Sequence, residues 1–356
     1  AQNAQFSVIV SNTADAPAKV HVTVGVDKNT PGAKTKAFTV AAKGLQVIDL
    51  PDKSWGLPPQ NQDGSSLNKL VYRIQSNQPI VAYQFNPLQN YGVFSNDASL
   101  LLPTGALGKQ YWVVSRTQLG NKYRSYFTVI ATSAGKTKVT IVAATSVLGG
   151  KGVTPMSKGA KKSYTLEQGQ VLNIESNKEG GDLTGSWVNA DKPVAVFGGS
   201  EASNSPNVGN CVPSGGGGFS GKICATTGLT ILPKSCSQDN QCQPECCADH
   251  LEEQLFPVET WGKRYVAARL YPRGKEKDAW RVMASTNGTQ VTLTPNIGVA
   301  LPKGGKLNAG EFFEIETTKD FVITANHPIL VAQYMASSFA TVTTNLNGLT
   351  SAVDTQ

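Results

Sequence analysis

Outside one segment, Cys211 to Cys247, this 356-residue chain has no cysteine, and inside it lie all six. A disulfide framework spread through the fold is thereby excluded, and most of the chain must be held by buried apolar surface. Histidine is scarce too: His21, His250 and His327 are the whole supply. That leaves little material for imidazole catalysis or for metal sites built from several histidines. No apolar run approaches the roughly 18 residues of a membrane-spanning helix. No basic stretch leading into an apolar one opens the chain. It starts almost at once on a strand-like segment, Gln5 to Val10, and is expected to be mature or cut from a larger polypeptide.

Charge is also thin. Charged residues make up 16% of the chain, against about 25% in ordinary soluble domains. Between Asp97 and Glu167 there is no acidic residue, while ten basic ones fall there: Lys109, Arg116, Lys122, Arg124, Lys136, Lys138, Lys151, Lys158, Lys161 and Lys162. The remainder carries 22 basic and 25 acidic residues, so the net charge of +7 belongs to one segment. A one-signed segment either attracts polyanions and acidic partners or forms a solvated face. Lys136, Lys138, Lys151, Lys158, Lys161 and Lys162 are the candidate polyanion-binding residues.

What the chain does have is glycine (35), proline (19) and β-branched residues in short alternating runs. Those are the ingredients of many strands joined by turns, and the length suits two or three domains. The runs repeat. A hairpin-like string occurs at Phe6 to Val24, again at Phe127 to Val142, and a third time at Trp280 to Thr294, where Asn287-Gly288 supplies a strong turn signal. A second hairpin follows each, with a glycine (Gly44, Gly169, Gly310) expected where the turn needs positive φ. A third string closes each copy: a polar turn, a proline (Pro79, Pro193, Pro328), then an apolar strand. Proline suits the first residue of such a strand because no ladder donor is needed there. The joints Leu101-Leu-Pro103 and Leu255-Phe-Pro257 each precede a Gly-Lys-x-Tyr segment, at Gly108 and Gly262.

These repeats predict an all-β chain of three tandem, diverged antiparallel β-sandwich units of Ig-like or Greek-key type, with a disulfide-stapled loop. The units are 1–105, lacking its opening strand; 106–258, with a cysteine-rich insertion at about 200–249; and 259–356. Blades of a β-propeller need only about 40–50 residues, too few for units of this size. Helical periodicity is almost absent, and its best candidate is a short acidic turn around His250 to Gln254.

Candidate chemistry is sparse. The clustered Cys211, Cys224, Cys236, Cys242, Cys246 and Cys247 read as disulfides of an oxidising compartment, with pairing open among fifteen arrangements. The alternative is a metal held by Cys242, Cys246 and His250, although no clean pair of C-x-x-C motifs is present. Gly215 to Gly221 has G-x-G-x-x-G spacing, but no strand leads in and no helix follows. Gly198-Gly-Ser200 falls one residue short of a nucleophile elbow. Asp249, His250, Glu252 and Glu253 could form a carboxylate–imidazole site; the plainer reading is a short acidic turn leading into Leu255-Phe-Pro257, with His250 hydrogen-bonded near the cysteines. Asn287-Gly-Thr289 matches a glycosylation sequon, and it is also a hairpin turn.

Residues Cys246 to Tyr265 (CCADHLEEQLFPVETWGKRY) resemble a motif of the IgGFc-binding protein N-terminal domain family. Gln78 to Phe85 and Ser95 to Pro103, followed by Gly108 and Tyr111-Trp112, add to the likeness, which covers most of the chain. The resemblance implies a secreted or cell-surface binding module and supplies no catalytic residues. The function expected is therefore non-catalytic: extracellular adhesion or binding of protein, glycan or polyanion at a cell surface or in a matrix. The alternatives are a self-associating structural subunit of a fibre or appendage, and, well behind, a metal-dependent or hydrolytic enzyme. No cofactor, nucleic-acid partner or transmembrane segment is expected.

Overall fold

The computed structural model describes residues 5–25, 33–50, 60–89, 95–205, 209–213, 222–226, 235–236, 248–274 and 276–336, with backbone alone for the three short stretches between 209 and 236. Apart from three short 3-10 turns, regular structure among these residues is β-strand, and every strand ladder is antiparallel. The chain divides into two compact units: Ala1–Ser203 with Asp249–Trp261, and Asn204–Ala248 with Gly262–Gln356.

The first unit opens with β1 (Phe6–Asn12), β2 (Ala18–Val24), β3 (Lys34–Val40), β4 (Leu45–Leu50), β5 (Ser66–Asn68), β6 (Tyr72–Ser76), β7 (Ile80–Asn86) and β8 (Asp97–Leu100). One sheet runs β4-β1-β7-β8 and a second β3-β2-β6. Period-two alternation sends Val8, Val10, Ile48 and Leu50 of the first against Ala18, Val20, Val22 and Val40 of the second, which makes a sandwich. Each buried Val, Ile or Leu contributes roughly 1.5–3 kcal/mol.

There follow β9 (Gln110–Trp112), β10 (Ser125–Ala131), β11 (Lys136–Val142), β12 (Lys161–Glu167), β13 (Val171–Glu175), β14 (Trp187–Ala190) and β15 (Val194–Ser203). Then come β16 (Gly209–Pro213), β17 (Lys222–Thr226) and β18 (Ser235–Cys236), which form a sheet of their own in the second unit, and β19 (Asp249–Gln254), which returns to the first. The sheets of the first unit here are β12-β11-β14-β9 and β19-β15-β10-β13-β5. The second of these is completed at one end by β5, from much earlier in the chain, and at the other by β19. The second unit continues with β20 (Gly262–Ala267), β21 (Asp278–Ala284), β22 (Thr289–Thr294), β23 (Lys306–Leu307), β24 (Phe312–Thr317) and β25 (Phe321–Tyr334).

One pairing scheme recurs three times. β1 pairs with β4 and β7, β10 with β13 and β15, and β21 with β24 and β25; β2 pairs with β3 and β6, β11 with β12 and β14, and β22 with β23 and β25. The polar residue two before each repeated proline has the same task in every copy. Asn77, Asp191 and Asn326 accept a hydrogen bond from the backbone N–H of Lys19, Lys138 and Gln290, at 2.7, 2.9 and 2.7 Å. The Gly-Lys-x-Tyr segments share a second device. Tyr111 Oη accepts from Gly108 N–H (2.9 Å) and donates to the Val194 carbonyl (2.8 Å). Tyr265 Oη accepts from Gly262 N–H (2.9 Å) and donates to the Ile329 carbonyl (2.8 Å). Each phenol thus ties an opening strand to the residue after the repeated proline.

Four expectations are corrected. His250 to Gln254 is part of an extended strand, not a short helical or acidic turn. The segment 200–249 is not all loop: β15 continues to Ser203, and β16 to β18 lie within it. Pro328 does not start a strand after a turn, since β25 runs unbroken from Phe321 to Tyr334. Its first part pairs with β20 and β22 and its last part with β21, so Pro328 sits where the ladders change over and no amide donor is needed. Finally, Gly169 and Gly310 take positive φ as expected (76° and 75°), but in the first copy Lys43 (φ 53°) does so instead of Gly44. The Lys43 ammonium compensates by donating to the Thr13 carbonyl at 2.7 Å and pairing with Asp15 at 3.0 Å.

Candidate functional site

The two segments that carry the strongest sequence signature, around β8 and β19, meet in the first unit. β19 pairs with β15 along one edge. Its other edge would present bare N–H groups, and side chains at two-residue spacing around β8 receive them. His250 N–H donates to Ser95 Oγ (2.7 Å), Glu252 N–H to the Asp97 carboxylate, and Gln254 N–H to Ser99 Oγ (2.8 Å). In return Leu102 N–H donates to Gln254 Oε1 (2.7 Å) and Ser99 Oγ to Glu253 Oε1 (3.2 Å). Strand period two on both sides makes the ladder possible, and it shields a sheet edge that could otherwise template aggregation.

A polar cluster backs this seam. The Glu252 carboxylate accepts from Gln84, from Asn86 Nδ2 (3.3 Å) and from Tyr126 Oη (3.1 Å), and lies 3.6 Å from His250 Nε2. The Tyr126 ring stacks on the His250 imidazole, centroids 6.2 Å apart. Burial pushes the Asp97 carboxyl up to about 6 and that of Glu253 up to about 7. For His250, burial works against the charged ring, but Glu252 and Asp97 outweigh it and the pKa is raised. Nearby, burial and the Glu201 carboxylate push Glu175 up to about 7 against the pull of Arg124. These side chains hold strands together across the seam. Among the described residues no group of three or more His, Cys, Asp or Glu is arranged to hold a metal.

Gly198-Gly-Ser200 is not an elbow. It lies within β15, and Ser200 is fully buried. The glycines are required by close packing: a Cβ on Gly198 would sit 2.0 Å from the Val114 carbonyl oxygen, and one on Gly199 2.1 Å from that of Leu251.

The basic segment does not form one patch. Arg116 is among the largest fully buried side chains. Arg124 is half-buried, with Nη1 donating to the Ser176 carbonyl (2.6 Å) and Nε 3.7 Å from Glu175. Lys151 and Lys158 are exposed in the connection between β11 and β12. Lys136, Lys138 and Lys161 are exposed on the outer face of β12-β11-β14-β9; Lys162, also exposed, alternates to the other side of β12. The register lines up two rows across that outer face. Lys161, Val142, Trp187 and Trp112 form one, and Ser163, Thr140, Asn189 and Gln110 the other. The two indoles are half-buried, tilted by 46°, with centroids 4.5 Å apart. Gln110, Ser163 and Asn189 are exposed.

Residues 97–213 and 220–355 match the model of the family described as IgGFc binding protein. The chain belongs to that family. It is similar to the IgGFc-binding protein of Homo sapiens, with 23% identity over 326 residues, 91% of this chain and 5% of that protein. The chain thus spans only a small part of its relative. No solved structure matches it. The family match begins at Asp97, the first residue of β8, and takes in all of β19, so it includes both sides of the seam.

Of the cysteines, Cys242, Cys246 and Cys247 lie outside the described residues, as does Gly215 to Gly221. The backbone places Cys211 and Cys224 directly opposite each other in the β16–β17 ladder, and Cys236 opposite Lys222. His250 of the metal alternative is taken up by the seam. The residues that sequence reasoning missed are Trp112 and Trp187. Their pairing was encoded only in the alternation that points Tyr111 and Val188 inward.

Proposed function

We propose that this chain is a secreted or cell-surface, non-catalytic binding module of three tandem sandwiches, 1–105, 106–258 and 259–356, that engages an anionic protein or glycan through the outer face of β12-β11-β14-β9. The observation that carries the reading is the placement of Lys136, Lys138 and Lys161 along that one exposed face, where Glu167, opposite Lys136, is the acidic residue of the β11–β12 ladder. Membership of a family named for protein binding supports it. The human relative's name says that it binds IgG Fc; no residue on this face singles out that ligand. The test is a binding screen against anionic polymers, glycans and proteins, human Fc included. Reversal of Lys136 and Lys138 to Glu should abolish binding of the best anionic ligand, and salt should weaken binding to the parent chain. Binding indifferent to both would sink the reading.

Self-association into a fibre or matrix is a second reading. It is favoured by edge strand β4, which exposes Leu45 (64%) and Val47 (38%). Sedimentation showing a monomer at high concentration would dispose of it.

A further inference from the structure

We propose that the Trp112–Trp187 pair and its flanking amides and lysines form a binding platform for an acidic polysaccharide. The inference rests on the proposed binding role of this face and names the ligand class. Trp187 and Trp112 are directly opposed on β14 and β9, and the same row continues through Val142 to Lys161. Three strand spacings span about 14 Å, long enough to seat more than one sugar ring. Indole faces offer an apolar, electron-rich surface to the C–H face of a pyranose. The adjoining row supplies Asn189 and Gln110, exposed amides that can donate to and accept from sugar hydroxyls. Lys138 and Lys161 supply positive charge for carboxylates or sulfates. An acidic peptide would use the lysines but has no need of a half-buried indole pair beside two amides.

The second unit provides a built-in control. Its Tyr265 repeats the role of Tyr111, so the register pair equivalent to Trp112–Trp187 is Val266–Val322. Asn189 is matched there by Thr324 and Lys138 by Gln290. The scaffold therefore does not require tryptophan at these positions.

The experiment uses the whole chain on sensors coated with heparin, with polygalacturonate, and with polyglutamate as a sugar-free polyanion. At least one polysaccharide should bind more tightly than polyglutamate; heparin alone assigns sulfates, polygalacturonate alone carboxylates. Trp187→Ala should weaken polysaccharide binding about tenfold and leave polyglutamate binding unchanged, with Trp187→Phe recovering most of the loss. Asn189→Ala, at an exposed position, should weaken polysaccharide binding with an unchanged melting temperature, and it decides the matter if Trp187→Ala fails to fold. Equal binding of all three polyanions, indifferent to these variants, overturns the sugar platform and leaves the charge-based reading standing. Absence of binding to any of them overturns both.

Discussion

The β9–β15 sandwich and the β20–β25 strands of the second unit share their tyrosine and Asn/Asp brackets, yet meet one junction in opposite ways. In the first, the Val114 carbonyl lies so close to β15 that residue 198 must be glycine. In the second, the equivalent carbonyl, of Ala268, is reached by the amide of Gln333, which donates to it at 3.1 Å. The β9–β15 copy is closed tightly and has a strand added at each end of its larger sheet. The second bridges the gap with a side chain and fuses its two closing strands into β25. Shared brackets thus accompany the shared strand order, while the approach at this junction is set locally, by one residue.

The most severe way to break the comparison is Gly198→Ala. Backbone would have to move, and the first unit should lose about 3 kcal/mol or more. Gln333→Ala should cost the second unit only about 1 kcal/mol. Urea unfolding would measure both, and a tolerated Gly198→Ala would show that the layers are not locked. Next in size, Tyr111→Phe and Tyr265→Phe should each destabilise their own unit by about 1–2 kcal/mol. A large inequality would mean that the brackets are not equivalent.

The smallest effect is a difference in pH response. Asp97, Glu253 and Glu175 have native pKa values raised to about 6, 7 and 7. The folded first unit therefore holds more protons than its unfolded chain between about pH 4 and pH 7, and its stability should fall as pH rises through that window. In the second unit, Asn308 N–H and the Lys303 ammonium hold the Glu311 carboxyl below its ordinary value. Its contribution has the opposite sign: present above the unfolded pKa and lost as pH falls through the folded one. Between about pH 5 and about pH 7.5 the urea midpoint of the first unit should fall, while that of the second, whose Glu311 is ionised throughout, should stay nearly level. Parallel movement would refute the assignment of the protons to the seam.

Hairpins and their threefold recurrence were legible because they rest on local alternation, which a sequence displays directly. β19 was not. Its Asp-His-Leu-Glu-Glu-Gln string has poor strand propensity, and the partners that make it a strand, Ser95, Asp97 and Ser99, lie about 155 residues away. The basic segment was read by composition, which counts charges without showing where they point; hence buried Arg116 and half-buried Arg124 were counted with exposed Lys138. The tryptophan pair depends on the register of two strands 75 residues apart. Lys43 in the left-handed position defeats the expectation that glycine marks the turn, because tertiary contacts of its ammonium compensate the backbone.

The seam also constrains the order of events during synthesis. β19 completes the larger sheet of the first unit only after the chain has passed through β16 to β18, which belong to the second. A ribosome delivering residues from the N-terminus produces every other strand of the first unit well before the piece that caps its edge. Until Gln254 has emerged, β15 presents an open edge and the carboxylates and hydroxyls around β8 have no strand to receive. The nascent first unit is thus an interrupted fold, exposed to wrong strand pairing for as long as the cysteine-rich excursion takes to be made.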